Sequence, residues 1–201
     1  MPRPITATIN LDALRHNLSV VRRHAPHARI FAVLKANAYG HGVLRAARAL
    51  AGADGIALLE LDAAVRLRAE GFAGRLALLG GVFEVADLQV AADHDLTIVI
   101  HNREQLRMLD SARSGARLDV LLKINTGMNR LGFAPHAAGD ALARLKGHRA
   151  VGQLTLMTHF ATADDARGVA WQMQIFNEIA AGYKLPRSLA NSAAILRYPE
   201  T

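Results

Sequence analysis

Short apolar runs alternate with longer amphipathic segments along nearly the whole chain of 201 residues. Such runs are typical of strands buried on both faces of a sheet, and they occupy residues 30–34, 55–59, 75–79, 96–100, 118–122, 151–156 and 188–190. Between the runs, apolar residues recur at helical spacing. This spacing predicts helices over residues 11–21, 42–52, 60–70, 83–92, 102–113, 135–146 and 164–181. Because no hairpin signal such as Asn-Gly separates the runs, this order predicts parallel strands with helical crossovers.

The number of runs favours a barrel over an open sheet. A closed (β/α)8 TIM-type barrel has eight strands in about 250 residues, so the seven runs predict an α/β barrel of this type that is incomplete at its C-terminal end. We assign residues 1–201 to this one domain, with an extra extended strand at residues 5–10. A doubly wound sheet is the structural alternative, but it would require a G-x-G-x-x-G loop after an early strand, and the sequence has none.

Composition excludes several classes of protein. The chain has no cysteine, which excludes disulfides, thiolate metal sites and cysteine nucleophiles. No segment approaches the roughly 18 consecutive apolar residues of a membrane helix, and the N-terminus lacks a secretory pattern, so we expect a cytoplasmic protein without a membrane partner. The net charge of +7 comes mostly from singly spaced arginines. Since no basic run is interleaved with aromatic residues, as a single-strand groove requires, we expect no nucleic-acid partner.

Polar side chains follow four of the apolar runs, at the strand ends where barrel enzymes place their active sites. These residues are Lys35, Arg130, His159 and Ser192. Lys35 leads into a loop of small residues, the setting that a Schiff-base lysine needs, although its position alone equally fits a solvated lysine. Arg130 follows a tight Thr-Gly turn and could direct its guanidinium at a carboxylate. We therefore expect the four side chains to converge on one mouth of the barrel.

The loop after the first run carries a family resemblance. Residues 32–42 read Ala-Val-Leu-Lys-Ala-Asn-Ala-Tyr-Gly-His-Gly and resemble the pyridoxal-phosphate attachment motif of alanine racemases. The resemblance implies that Lys35 carries pyridoxal 5'-phosphate covalently and exchanges the Cα proton of the substrate on one face. It also implies that Tyr39 contacts the cofactor phosphate, although a tyrosine here could instead simply pack across the loop.

Two later segments are similar to the same family. Residues 123–133 read Lys-Ile-Asn-Thr-Gly-Met-Asn-Arg-Leu-Gly-Phe, and the resemblance gives Arg130 the cofactor's phenolic oxygen and the substrate carboxylate. Lys123, often carbamylated in these enzymes, would orient that arginine, while the simpler interpretation is an amine that reaches solvent. His159 corresponds to the histidine beneath the cofactor ring, although such a residue is more often a core histidine. Asn191 and Ser192 resemble a phosphate-binding turn, and Asn191 alone could equally be a helix N-cap.

The resemblance implies an enzyme that interconverts L-alanine and D-alanine by a two-base mechanism and supplies D-alanine for peptidoglycan. Family members are homodimers whose β-rich C-terminal domain supplies a tyrosine as the second base, and we expect this chain to lack that domain and to be weakly active or inactive alone. Two alternatives stay open at this point. One is a single-domain pyridoxal-phosphate-binding protein without robust catalysis, and the other is a racemase of broader amino-acid specificity.

Overall fold

The structure, a computed structural model, describes residues 4–201, so residues 1–3 of the predicted domain lie outside the described residues. The helices are α1 (Leu11–His24), α2 (Lys35–Tyr39), α3 (Val43–Ala49), α4 (Leu61–Ala69), α5 (Val85–Asp93), α6 (Arg103–Asp110), α7 (Pro135–Lys146), α8 (Ala170–Ala180) and α9 (Ser192–Arg197). The strands are β1 (Phe31–Val33), β2 (Gly55–Leu58), β3 (Arg75–Leu78), β4 (Leu96–Ile100), β5 (Leu118–Lys123), β6 (Val151–Met157) and β7 (Arg187–Ser188). Within the described part of the chain, no helix has both the length and the apolar character needed to cross a membrane.

The strands form one parallel sheet in which spatial order follows chain order, from β1 to β7. Each strand pairs with the next, as Val33 of β1 does with Ala57 of β2 and Ala57 with Ala77 of β3. Helices on the crossovers cover the outer face, as parallel neighbours require. Since residues 4–201 contain seven strands of this sheet, the predicted incomplete α/β barrel is confirmed.

Alternation along each strand separates two apolar layers. Ile56 and Leu58 of β2 are 0% exposed and pack with the helices in the main core. The intervening residues face inward, since side chains alternate sides along a strand. The inner layer contains Ala57, Ala77, Val99 and Leu121. The same alternation places the last residue of β5, Lys123, on the inner face at the mouth of the barrel.

Asparagine side chains begin three of the helices. The Oδ1 atoms of Asn10, Asn102 and Asn191 accept hydrogen bonds from backbone N–H groups in the first turns of α1, α6 and α9, which satisfies donors that would otherwise lack partners. The predicted helix over residues 164–181 begins later, at Ala170. Its first part is instead a turn, because Thr162 Oγ1 donates to Gly168 O at 2.7 Å and Gly168 has a φ of 63°.

The predicted extra strand over residues 5–10 is wrong. Residues 4–10 form no regular element, and the side chain of Ile5 is 80% exposed. The backbone of this segment pairs with none of the seven strands of the sheet, and pairing is what stabilises a strand. Asn10 instead serves as the N-cap of α1.

Candidate active site

The carboxyl ends of β1, β5 and β6 bring four basic side chains together at the barrel mouth. Lys123 ends β5 and is only 6% exposed, while Lys35 and His159 each follow a strand by two residues. Burial lowers the pKa of Lys123, and the charges of Arg130 and Lys35 lower it further. The predicted convergence of Lys35, Arg130 and His159 is therefore present, with Lys123 in the same cluster.

The three cations of this cluster, Lys35, Lys123 and Arg130, have no counter-charge in the described structure. The ion pairs formed by residues 4–201 involve other side chains, and none includes Lys35, Lys123 or Arg130. A buried ammonium beside two further cations is unfavourable unless an anion balances it. The arrangement is that of a site for an anionic ligand, which would relieve the repulsion on binding.

The short element α2, which begins at Lys35, is a left-handed turn and not a regular α-helix. Ala36, Asn37, Ala38 and Tyr39 all have φ between 52° and 56°, a left-handed turn that costs about 1–2 kcal/mol per residue for L-amino acids. The Asn37 side chain holds this turn to the next helix by accepting from Val43 N at 2.8 Å. Such strain is concentrated at functional sites, and here it fixes the segment directly after the lysine.

Tyr39 ends the left-handed turn and is 58% exposed at the mouth. Its ring centroid lies 5.8 Å from Lys35 Nζ. Glu60, which follows β2, supports the start of the same turn by accepting from Ala36 N at 3.2 Å. The Tyr39 hydroxyl is thus available to a ligand beside Lys35.

A compact turn after β5 presents Arg130. Asn125 Oδ1 accepts from the backbone N–H groups of Gly127 and Asn129, both at 3.0 Å. Gly127 has a φ of 133° and lies against the ring of Trp171, so that a Cβ atom there would come within 2.1 Å of the ring. The turn therefore requires glycine at this position, and it leaves the Arg130 side chain exposed at the mouth.

His159 is half-buried beside the three cations. Burial lowers the pKa of its imidazole most, and Lys123, Arg130 and Lys35 lower it further. These effects favour the neutral form of the ring. A neutral imidazole can pack against a ligand ring without adding to the positive charge of the mouth.

Asn191 and Ser192 lie where β7 leads into α9. Both ends of the Asn191 amide bond within the protein, since Oδ1 accepts from Ala194 N at 3.0 Å and Nδ2 donates to Phe160 O at 3.1 Å. This side chain is the helix N-cap and also ties α9 to the segment of His159. Ser192, the first residue of the helix, is exposed, so its hydroxyl is the group here that could reach a ligand.

Sequence reasoning missed His101, which follows β4 directly. Its Nε2 lies 3.1 Å from Gly80 O, and its pKa is lowered by burial and by the charge of Lys123. The rule that selected Lys35 and His159, a polar residue after an apolar run, also applies to His101. It lines a cleft of about 620 Å³ together with Leu59, Phe83 and Leu131, which extends the mouth beside the cationic cluster.

Comparison with known proteins identifies the family. The model of the family described as "Alanine racemase, N-terminal domain" matches residues 9–201. The chain is 56% identical to an alanine racemase from Nitrosospira multiformis, over 100% of this chain and 57% of that protein. It is similar in structure to the biosynthetic alanine racemase from Pseudomonas aeruginosa, with a TM-score of 0.93, 40% identity, and coverage of 98% of this chain and 56% of that one.

The chain is also similar in structure to a racemase that is named for a different amino acid. It is a histidine racemase from Leuconostoc mesenteroides subsp. sake, with a TM-score of 0.83, 29% identity, and coverage of 94% of this chain and 54% of that one. The chain thus spans little more than half the length of the relatives that it matches. Since the family model covers nearly all of its residues, the chain belongs to the family of alanine racemase N-terminal domains.

Proposed function

We propose that this chain forms the cofactor-binding part of an enzyme that interconverts L-alanine and D-alanine. Enzymes of the family depend on pyridoxal 5'-phosphate. The observation that supports the proposal most is the cluster of Lys35, Lys123 and Arg130, which has no anionic partner within residues 4–201.

The residues at the mouth fit this cofactor. Pyridoxal phosphate has an aldehyde, a phenolic oxygen and a phosphate, and the mouth offers an amine on Lys35, a guanidinium on Arg130 and exposed hydroxyls on Tyr39 and Ser192. When bound, the cofactor acts as an electron sink that makes the Cα proton of an attached amino acid acidic. In this assignment Lys35 would attach the cofactor, Arg130 would bind its phenolic oxygen, and Tyr39 and Ser192 would bind the phosphate.

The same residues would bind and orient the substrate. The guanidinium of Arg130 can pair with the substrate carboxylate in a bidentate manner, which fixes the Cα atom relative to Lys35. The Lys35 amine then accepts or donates the Cα proton on its own face. His159, whose lowered pKa favours the neutral form, would pack against the cofactor ring, while Asn191 would position the last turn through its hydrogen bond to Phe160 O.

Lys123 would orient Arg130 after carbamylation. In that reaction a neutral amine adds to carbon dioxide and releases one proton, which replaces a cation by an anion. The lowered pKa of Lys123 increases the fraction of neutral amine that can react. A carbamate at this position would pair with the neighbouring Arg130 and balance the charge of the mouth.

The second proton transfer is assigned to a tyrosine outside this chain. Racemisation requires that the proton removed on one face be returned on the other, and Lys35 serves one face. We propose that a β-rich C-terminal domain of a partner subunit supplies that tyrosine in a cytoplasmic homodimer. The product D-alanine would serve peptidoglycan synthesis.

Cofactor addition and a racemisation assay test the proposal together. The protein mixed with pyridoxal phosphate should develop visible absorbance, and borohydride reduction should label Lys35. Labelling of another lysine would overturn the site. The natural protein that contains this chain should convert L-alanine to D-alanine, whereas the 201-residue chain alone should be weakly active or inactive. Racemisation by the isolated chain at an ordinary enzyme rate would contradict the two-base assignment.

A racemase of broader amino-acid specificity is a second candidate, favoured by the similarity to the histidine racemase. Arg130 would recognise the carboxylate that all amino acids share, so the cluster does not itself select for a small side chain. The cleft beside the cluster, with Phe83 and Leu131 in its lining, has room for a larger one. Comparing kcat/KM for L-alanine and L-histidine distinguishes the two candidates.

A further inference from the structure

Gln172 connects the two segments that present Arg130 and His159. It lies in the first turn of α8 and is 0% exposed. Its Nε2 donates to Thr126 Oγ1 at 2.9 Å and to His159 O at 3.1 Å, and its Oε1 accepts from Ala161 N at 2.7 Å. One buried carboxamide thus joins the turn after β5 to the segment after β6.

A pair of buried threonines makes a second connection between the same segments. Thr126 and Thr158 are 1% and 2% exposed, and their Oγ1 atoms lie 2.7 Å apart. Thr158 Oγ1 also donates to Ile124 O at 2.9 Å. A fully hydrogen-bonded network in a low-dielectric interior fixes the geometry of the groups that it joins.

Arg130 and His159 depend on this network for their positions. Among residues 4–201 neither of these two side chains has a hydrogen-bond partner of its own. Each is therefore placed by the backbone that carries it. Thr126 fixes the turn before Arg130, and the ring of Trp171, the neighbour of Gln172 on α8, packs against Gly127 of that turn.

We propose that Gln172 is a positioning residue that sets the spacing between Arg130 and His159 at the mouth of the barrel. The inference rests on the proposed function, in which Arg130 binds the substrate carboxylate and His159 packs against the cofactor ring. A loss of the Gln172 bridge would let the two segments move apart. A displacement of about 1 Å at such a site can reduce the rate about a hundredfold.

Gln105 provides a matched control. It is also buried, at 3% exposed, and it also makes three hydrogen bonds, to His101 N, Gly80 O and Val82 O. It joins the segments after β3 and β4, whereas Arg130 and His159 follow β5 and β6. Replacing either glutamine by methionine removes the same number of hydrogen bonds and retains a similar side-chain volume.

The first experiment is an NMR titration of the His159 imidazole in the protein without cofactor, for the wild type, Gln172→Met and Gln105→Met. Release of the His159 segment toward water should weaken both burial and the repulsion from Lys123, Arg130 and Lys35. We therefore expect the pKa of His159 to rise by about 0.5 or more in Gln172→Met and to stay at the wild-type value in Gln105→Met. An unchanged value in Gln172→Met, or an equal rise in both variants, would overturn the inference.

The second experiment measures kcat and KM for alanine in the natural protein loaded with pyridoxal phosphate. Gln172→Met should lower kcat/KM about tenfold or more. Thr126→Val removes the bonds of the Arg130 turn to Gln172 and to Thr158 but keeps the bonds of Gln172 to the His159 segment, and it should raise KM. If Gln172→Met does not fold, Thr126→Val provides this test, and an unchanged KM overturns the inference. If the wild type does not racemise alanine but Gln172→Met still shifts the His159 titration, the proposed function fails and the positioning role stands.

Discussion

The two ends of the barrel differ in how their charges are balanced. Where the strands begin, Arg75 lies 3.9 Å from Asp119 and donates to Gln153 Oε1 at 3.3 Å. Before β2, Asp54 likewise accepts from Arg22 at 2.8 Å and from Ile30 N at 2.8 Å. Each of these two ion pairs joins opposite charges, and a hydrogen bond supports each of them.

Where the strands end, the clustered charges are cations without an ion-pair partner among residues 4–201, and the nearby carboxylate of Glu60 accepts instead from Ala36 N at 3.2 Å. Lys35, Lys123 and Arg130 face one another, and the part of the chain that the structure describes pairs them with no carboxylate. The difference lies in the clustering and burial of the unpaired cations, since Lys123 is 6% exposed, and it favours an anionic ligand at the mouth. Four substitutions test this distinction.

Replacing Lys35 by alanine should have the largest effect, because it removes the amine that attaches the cofactor. We expect complete loss of the visible absorbance with pyridoxal phosphate and of the label after borohydride reduction. Lys146→Ala is the control, since that ammonium lies over the Tyr183 ring and away from the mouth. Unchanged colour in Lys35→Ala would refute the assignment of the whole site.

Replacing Lys123 by methionine should stabilise the protein in the absence of cofactor and bicarbonate, because a buried and unbalanced cation is removed. We expect the free energy of unfolding at neutral pH to rise by about 1 kcal/mol or more, measured by urea denaturation. The folded-state pKa of Lys123 lies below its usual value, so the unfolded chain binds more protons and wild-type stability should increase as the pH rises from the lowered pKa toward 10.5. A destabilised variant would contradict the unpaired state of this amine.

Replacing Asp54 by asparagine should lower the free energy of unfolding, the opposite of the effect expected for Lys123→Met. Hydrogen bonding from Ile30 N, followed by the Arg22 side chain, holds the pKa of this carboxyl below 3.8. The contribution of the Asp54 carboxylate to stability should be present above pH 3.8. It should be lost as the pH falls through the lowered folded-state pKa. At neutral pH we expect a loss of about 1 kcal/mol. Equal stability of variant and wild type at pH 7 would show that the pairing contributes nothing.

Replacing Arg75 by methionine should have the smallest effect. The side chains of Arg75 and Asp119 are 46% and 38% exposed, and ion pairs in contact with water contribute about 0–1 kcal/mol. We expect a change of less than about 0.5 kcal/mol and no change in cofactor binding. A loss of cofactor absorbance here would mean that the two ends of the barrel are not independent.

The strands were predictable because burial on both faces leaves a continuous apolar run. The run over residues 96–100 coincides with β4 and the segment over residues 135–146 with α7. The predictions of secondary structure that failed are those where tertiary contacts, and not the local sequence, determine the element. Residues 5–10 have the composition of a strand but no neighbour to pair with, and α8 begins late because the Thr162 hydroxyl bonds to Gly168 O.

The candidate site was predictable to a smaller extent. Lys35 and His159 follow apolar runs and so could be selected from the sequence, and His101 follows the same rule. The left-handed turn after Lys35 could not be predicted, since alanine and tyrosine rarely adopt positive φ. The role of Gln172 was equally hidden, because a glutamine in an amphipathic helix resembles a solvated residue until its three buried hydrogen-bond partners are known.

The chain-order pairing of the sheet bears on how the barrel assembles. Every strand pairs with its immediate successor, so each addition closes a loop of modest length and the contact order stays low for a parallel fold. During synthesis β1 can pair with β2 before the later strands have left the ribosome, since folding proceeds from the N-terminal side. The cationic cluster needs both β1 and the turn after β5, so its mutual repulsion arises only after the first five strands of the scaffold have formed.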